Sequence, residues 1–194
     1  MAYSSFQELA DQGIEGRDYQ IRIKVRDGPV LVMTPHGGKI EPGTTEIAEA
    51  IAESGYSFYS FEGLTMERDL HIESHLFDEP RALKVVDKAE IVVTVHGQLN
   101  REDEFVMVGG LDLTLGSEIK HRLEAAGFKT FPPTEGLRGT DPANICNRGK
   151  SKRGVQLEIS RRIRDSLRVD QDRLQVFADA VRRAIQTNLE SRSE

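Results

Sequence analysis

Apolar positions along the chain follow two periods, and the changes of period mark its elements. Gln20–Val25 (QIRIKV) alternates apolar and polar residues, which predicts a strand with one wet face. Pro29–Thr34 (PVLVMT) is apolar throughout and runs into PHGG, the pattern of a buried strand feeding a glycine turn. Beyond that turn Ile47, Ala48, Ile51 and Ala52 share a helical face, with Thr44 or Thr45 as cap and Gly55 as stop. Tyr56–Phe61 (YSFYSF) alternates again in strongly β-prone residues. Glu79–Val86 predicts a short helix opened by Pro80. Glu90–Val95 (EIVVTV) is the clearest buried strand and leads straight into His96–Gly97.

Phe105–Val108 reads as a further strand, ending at Gly109–Gly110. Asp112 is placed to cap a helix carrying Leu115, Ile119, Leu123 and Ala126 on one face, closed by Gly127. Phe128–Phe131 predicts a short strand. Pro132–Arg153, rich in Pro, Gly, Asn and Arg, predicts a long loop, and loops of that length in compact domains usually serve function. Gly154–Ser160 (GVQLEIS) reads as a strand. Asp170 then caps a last helix with Leu174, Phe177, Val181, Ile185 and Leu189, and the terminal SRSE should fray. Alternating strands and helices predict an α/β fold, its sheet largely parallel with some antiparallel strands. No linker divides the chain, so residues 1–194 are expected to form a single domain.

Composition supports that picture: 194 residues with 38% hydrophobic suffice for one sizeable core. The single cysteine, Cys146, rules out an intramolecular disulfide and reads as a small buried residue. The opening MAYSSFQELADQG lacks a basic cluster followed by an apolar run, so no signal peptide is expected and synthesis should be cytoplasmic. No segment is apolar enough to span a bilayer, and a monomer is expected. The net charge of −6 argues against nucleic acid as a partner. The charge is uneven, however. Arg138, Arg148, Lys150, Lys152, Arg153, Arg161, Arg162 and Arg164 face only Asp141 and Glu158 within one stretch. Such a stretch is either a solvated surface or an attractor for an anionic substrate.

In open α/β sheets, ligands sit beyond the carboxyl ends of the strands. His36 lies just beyond PVLVMT and His96 just beyond EIVVTV, each followed by glycine. Glu41 lies in the same tight segment as His36. Two imidazoles and one carboxylate form a sensible zinc set that leaves a fourth position for water. The positive charge of such a site lowers the pKa of water there from about 15.7 toward about 7. Spacing alone also allows the two histidines to be plain turn residues. His71 and His75, four residues apart in LHIESHLF, are rival ligands or polar surface. Glu158 shares a strand face with Gln156 and Ser160, where it could move protons or simply be solvated. Asn147 and Arg148 could bind a carboxylate, while Arg138 could do the same or polarise a scissile carbonyl.

Taken in order, PHGGKIEPGTTEIAEAIA, LHIESHLFDEP, VTVHG followed by VGGLD, NICNRG, and GVQLEIS followed by basic residues resemble the phage-type poly-γ-glutamate hydrolase family, zinc peptidases of bacteriophages and bacilli. The resemblance implies a zinc carboxypeptidase-like (phosphorylase/hydrolase-like) fold, a twisted mixed sheet flanked by helices. It implies His36, Glu41 and His96 as ligands of Zn2+, and Glu158 as general base. Asn147–Arg148 is similar to the carboxylate-recognising Asn-Arg pair of carboxypeptidases, and Arg138 and His71 would contact substrate. The spacing of His36 to Glu41 follows the phage type rather than the shorter carboxypeptidase one. The expected activity is cleavage of γ-glutamyl amide bonds in an anionic polymer, with release by lysis if the protein is phage-derived. Two alternatives stand beside it. One is a zinc deacylase for N-acyl amino acids or aminoacyl-tRNA; the other is a non-enzymatic binder of anions or nucleic acid.

Overall fold

The structure, a computed structural model, describes residues 3–53, 55–66 and 69–192. The first half of the chain gives α1 (Phe6–Gln12), β1 (Tyr19–Lys24), β2 (Val30–Gly38), α2 (Thr44–Ala52), β3 (Ser57–Gly63), α3 (Pro80–Val86) and β4 (Ile91–Gln98). The second half gives β5 (Val106–Gly110), α4 (Leu113–Ala125), β6 (Thr130–Phe131), a 3-10 turn (Ile145–Arg148), β7 (Val155–Ser160), α5 (Arg161–Val169) and α6 (Gln171–Ser191).

The seven strands form one mixed sheet in the order β1-β3-β2-β4-β7-β5-β6. The four central strands, β3, β2, β4 and β7, are parallel neighbours. β1 joins β3, and β5 joins β7, antiparallel. Both faces are covered, which is why the central strands read as unbroken apolar runs. Val30 and Val32 of β2 pack with Val93 and Val95 of β4 into a core closed by α2, α4, α5 and α6. Leu31 and Met33 point the other way, into a second core with Leu9 of α1 and Ala82 and Val86 of α3. Among the described residues no helix is long and apolar enough to cross a membrane.

Capping decides the helix boundaries. Asp112 accepts the Leu115 amide and Asp170 that of Arg173, as their positions in the sequence predict. α2 departs from expectation at both ends. Its N-cap is Gly43, at φ 100°, and it stops at Glu53, at φ 44°, short of Gly55. The hydroxyls of Thr44 and Thr45 are committed elsewhere, to the turn that follows β2. Two helices escape the periodicity reading because each buries so little: α1 buries Leu9, and α5 buries Ile163, Arg164 and Leu167 amid charge. Of the SRSE terminus, Ser191 ends α6 and Arg192 caps it; Ser193 and Glu194 lie outside the described residues.

The long segment between β6 and β7 is pinned by one side chain. Asn147, buried in the 3-10 turn, donates to the carbonyls of Gly139 (2.7 Å) and Asp141 (2.9 Å). Its Oδ1 accepts the amides of Leu111 (3.2 Å) and Gly154 (3.1 Å). Replacing it strands buried polar groups, each costing about 1–3 kcal/mol. Asn147→Leu should therefore lower unfolding free energy by about 2–3 kcal/mol. Urea denaturation checks this, and an unchanged midpoint would mean the loop is held by something else.

Candidate metal centre

β2 and β4 lie side by side and parallel, so the residues leaving their carboxyl ends meet. The register of β2 against β3 slips between Thr34 and Gly37, an irregularity of the kind that re-aims a side chain. His36 sits inside it and turns toward His96. The chain then folds back on itself: the Glu41 amide donates to the His36 carbonyl at 3.0 Å. The Thr44 hydroxyl reaches the carbonyls of His36 (3.2 Å) and Glu41 (2.9 Å), and Thr45 Oγ1 accepts the Gly38 amide at 3.0 Å. Neither threonine's role was visible from periodicity, which marked them only as helix caps.

The result is a compact donor set. One ligand atom from each of His36, Glu41 and His96 lies within 4.8 Å of the others. The His36 and His96 Nδ1 atoms are 3.1 Å apart, and His36 Nδ1 is 3.1 Å from Glu41 Oε1. Glu41 Oε2 accepts the Gly97 amide at 2.7 Å. On the far side of its ring, His36 Nε2 donates to the Ile72 carbonyl at 2.7 Å, which orients the ring and aims Nδ1 at the cluster. Both imidazoles are buried, at 2% exposure each.

Electrostatics fit a cation at this spot. Burial opposes charge on Glu41, yet His36 and its hydrogen bond hold the carboxyl down at about 2. Burial likewise works against charge on His36, and Glu41 overrides it, so the imidazole is raised. His96 is pushed down to about 3, first by burial and then by His36. The carboxylate thus draws one positive charge into the pocket between the rings, a proton or a metal ion. Two neutral imidazoles and a carboxylate, with other bonds fixing their aim, fit a three-ligand metal site.

Glu158 is the register partner of His96 on the adjacent strand β7. It is 6% exposed, which removes the solvated-strand reading of this residue. Its Oε1 accepts from Gln156 Nε2 at 2.9 Å, and Asn144 Nδ2 donates to Gln156 Oε1 at 2.9 Å. Burial, followed by the nearby charge of Glu41, pushes its carboxyl up to about 8. His36, Glu41, His96 and Glu158 all line one cavity of about 850 Å³.

The remaining sequence-derived candidates divide. His71 stacks on His36, ring centroids 4.0 Å apart, and lines the cavity, as does His75. The segment between them is not helical, and neither joins the donor set. Arg138 lines the cavity and is exposed. Asn147 and Arg148 do not line it, so the cavity lends the expected carboxylate-binding pair no support. Asn147 spends its amide on backbone groups, and Arg148 Nη1 donates to the Phe77 carbonyl at 3.1 Å. The basic stretch is likewise dispersed in space. Arg164 is buried, Arg161 pairs with Asp165, and Lys150 lies 3.8 Å from Glu90. The cavity wall instead carries Glu73, Glu135 and Asp141 beside Arg138. Cys146 is buried, and burial pushes its thiol up to about 12.

A mixed, helix-flanked sheet with such a donor set at the ends of its parallel strands defines a zinc carboxypeptidase-like α/β protein. The model of the poly-γ-glutamate hydrolase family matches residues 3–180, and the chain belongs to that family. It is similar to a solved bacteriophage poly-γ-glutamate hydrolase, at TM-score 0.91 and 31% identity over 97% of this chain and 98% of that one. A zinc-free structure of YndL gives TM-score 0.89 and 34% identity, over 96% and 98% of the two chains. YndL of Bacillus subtilis (strain 168) is 38% identical over 169 residues, 85% of this chain and 66% of that protein. The SPbeta prophage-derived YoqZ of the same organism is 38% identical over 162 residues, 81% and 58% of the two. The chain therefore spans 66% and 58% of the length of these two Bacillus relatives.

The raised Glu158 carboxyl has a consequence for the metal-free protein. Its folded value, about 8, lies above the reference value of 4.5, so the native state holds a proton that the unfolded state releases. Its contribution to stability is complete below pH 4.5 and is lost as pH rises through about 8. With chelator present, the stability advantage of Glu158→Gln over the parent should grow between these limits and level off above them. Denaturant melts across that range check it, and a pH-independent difference would contradict the assigned environment.

Proposed function

We propose that the chain is a zinc-dependent hydrolase that cleaves γ-glutamyl amide bonds in poly-γ-glutamate. The observation that carries this reading is the convergence of His36, Glu41 and His96, with Glu158 one strand away on the same cavity, in a chain of this family. Zinc as the ion is supported by the two-imidazole, one-carboxylate donor set and by the similarity to YndL, of which a zinc-free structure is known. The chemistry supplied by zinc in this cluster is Lewis-acid activation of water and of the scissile carbonyl.

Glu158 is the proton carrier. As carboxylate it takes a proton from the attacking water; as acid it returns that proton to the departing amide nitrogen. Gln156 holds one of the Glu158 oxygens, and Glu158 lines the cavity. The ring of His71, stacked on His36, forms wall beside the reacting centre.

Arg138 is the group for substrate charge. Every residue of a γ-linked chain keeps a free α-carboxylate, which a guanidinium binds in bidentate fashion. Among the described residues Arg138 is the only Arg or Lys on the cavity wall, set among carboxylates. A polyanion must therefore engage Arg138, since poses that miss it meet Glu73, Glu135 or Asp141. No feature of the cavity favours an N-acyl or aminoacyl-tRNA substrate.

Glu158→Gln should retain zinc at one ion per chain and lose turnover of poly-γ-glutamate by on the order of 10²–10⁴-fold. Metal analysis and product sizing by gel filtration read both quantities. Unimpaired depolymerisation by this variant would remove Glu158 from the mechanism. Failure of the parent to shorten the polymer with zinc bound would refute the substrate.

A further inference from the structure

Arg164 is the largest fully buried side chain among the described residues, at 1% exposure, and it forms no ion pair among them. Its guanidinium is met by three backbone carbonyls. Nε donates to Ile159 at 3.0 Å, Nη2 to Gln98 at 3.0 Å, and Nη1 to Pro42. Each of these carbonyls lies one or two residues from a group of the candidate site. Pro42 follows Glu41, Gln98 follows His96–Gly97, and Ile159 follows Glu158. The three segments come from the turn after β2, the end of β4 and the end of β7, and touch the same planar fork.

The surroundings are shaped to admit it. A Cβ at Gly97 would come within 2.5 Å of Arg164 Cζ and 2.7 Å of Nη2, so only glycine lets the guanidinium lie beneath the His96 strand. At Gly43 a Cβ would approach Arg164 Cβ to 2.9 Å. Arg164 reaches this position because Ser160 ends β7 and caps α5 at once, leaving no loop between them. A buried cation is costly when no carboxylate pairs with it, and an apolar side chain would fill the volume more cheaply. A guanidinium, unlike an ammonium, offers donors in fixed directions that three separate carbonyls can share.

We infer that Arg164 is a positioning residue for the metal centre. It ties the Glu41 turn, the His96 strand and the Glu158 strand into one arrangement by bonding a carbonyl beside each. This rests on the reading of His36, Glu41 and His96 as zinc ligands. Remote clamping of this kind affects metal affinity and ligand geometry, because the donors no longer converge unaided.

The test uses the full chain with Arg164→Met and Arg164→Lys, checked for folding by circular dichroism. Zinc affinity is read by competition with a chromophoric chelator, and ligand geometry by the visible spectrum of the cobalt-substituted protein. Arg164→Met should bind zinc at least tenfold more weakly, show an altered cobalt spectrum, and lose kcat rather than raise KM. Arg164→Lys, which keeps the charge but not the fork, should fall short of the parent in zinc affinity. Leu123→Ala, in the core that α2, α4, α5 and α6 close, controls for lost stability and should keep parental affinity and spectrum. Should Arg164→Met fail to fold, Gly97→Ala displaces the guanidinium while leaving it in the chain, and the same weakening is expected. Parental zinc affinity and cobalt spectrum in the folded Arg164 variants, or in Gly97→Ala if neither folds, would overturn the inference. A parent chain that binds no zinc would instead sink the metal reading itself, and this inference with it.

Discussion

Glu41 Oε2 accepts the Gly97 amide at 2.7 Å while Oε1 lies 3.1 Å from His36 Nδ1, so one half-buried carboxylate is bonded to the ends of two strands. A partly desolvated carboxylate is stabilised by positive charge close by. His36 supplies it as a proton-bearing ring, or a metal ion supplies it between the rings. The turn from His36 to Glu41, the threonines beneath it and the glycine at position 97 all serve to bring that oxygen pair to one point. The parallel β2–β4 neighbourhood is the precondition, since an antiparallel pair would send the two histidines to opposite ends of the sheet.

Charge placement then runs outward in layers. Nearest the cluster stands Glu158, whose neutral form is favoured by burial and by Glu41. Below the sheet's end, Arg164 spends its donors on carbonyls rather than on either carboxylate. Gln156 and Asn144 link Glu158 to the long segment that carries Arg138 across the cavity. Asn147 fastens the same segment to the ends of β5 and β7. The parts that touch substrate in the proposed reaction thus hang on buried polar contacts whose geometry leaves little slack.

The central strands and the two histidines were legible in the sequence for one reason. Apolar runs identify strands buried on both faces, and a histidine directly after such a run has to sit at a strand's carboxyl end. Glu158 was legible as a face but not as a buried group, because its burial depends on a distant loop folding over it. The surroundings of Asn147 and Arg148 were not legible because a dipeptide says nothing about direction: one amide turns inward to backbone groups and the guanidinium reaches Phe77. Arg164 was counted within a basic stretch, either solvated surface or an attractor for anions, for the same reason. α1 and α5 were missed because helices that bury only one side chain, or three amid charge, leave almost no periodic signal.

Which atoms surround the ion is read by X-ray absorption at the zinc edge of the loaded protein. The account predicts two imidazole nitrogens and at least one carboxylate oxygen at about 2.0–2.2 Å, with the shell completed by a light scatterer. A third or fourth imidazole, which would bring in His71 or His75, or any sulfur from Cys146, would contradict it.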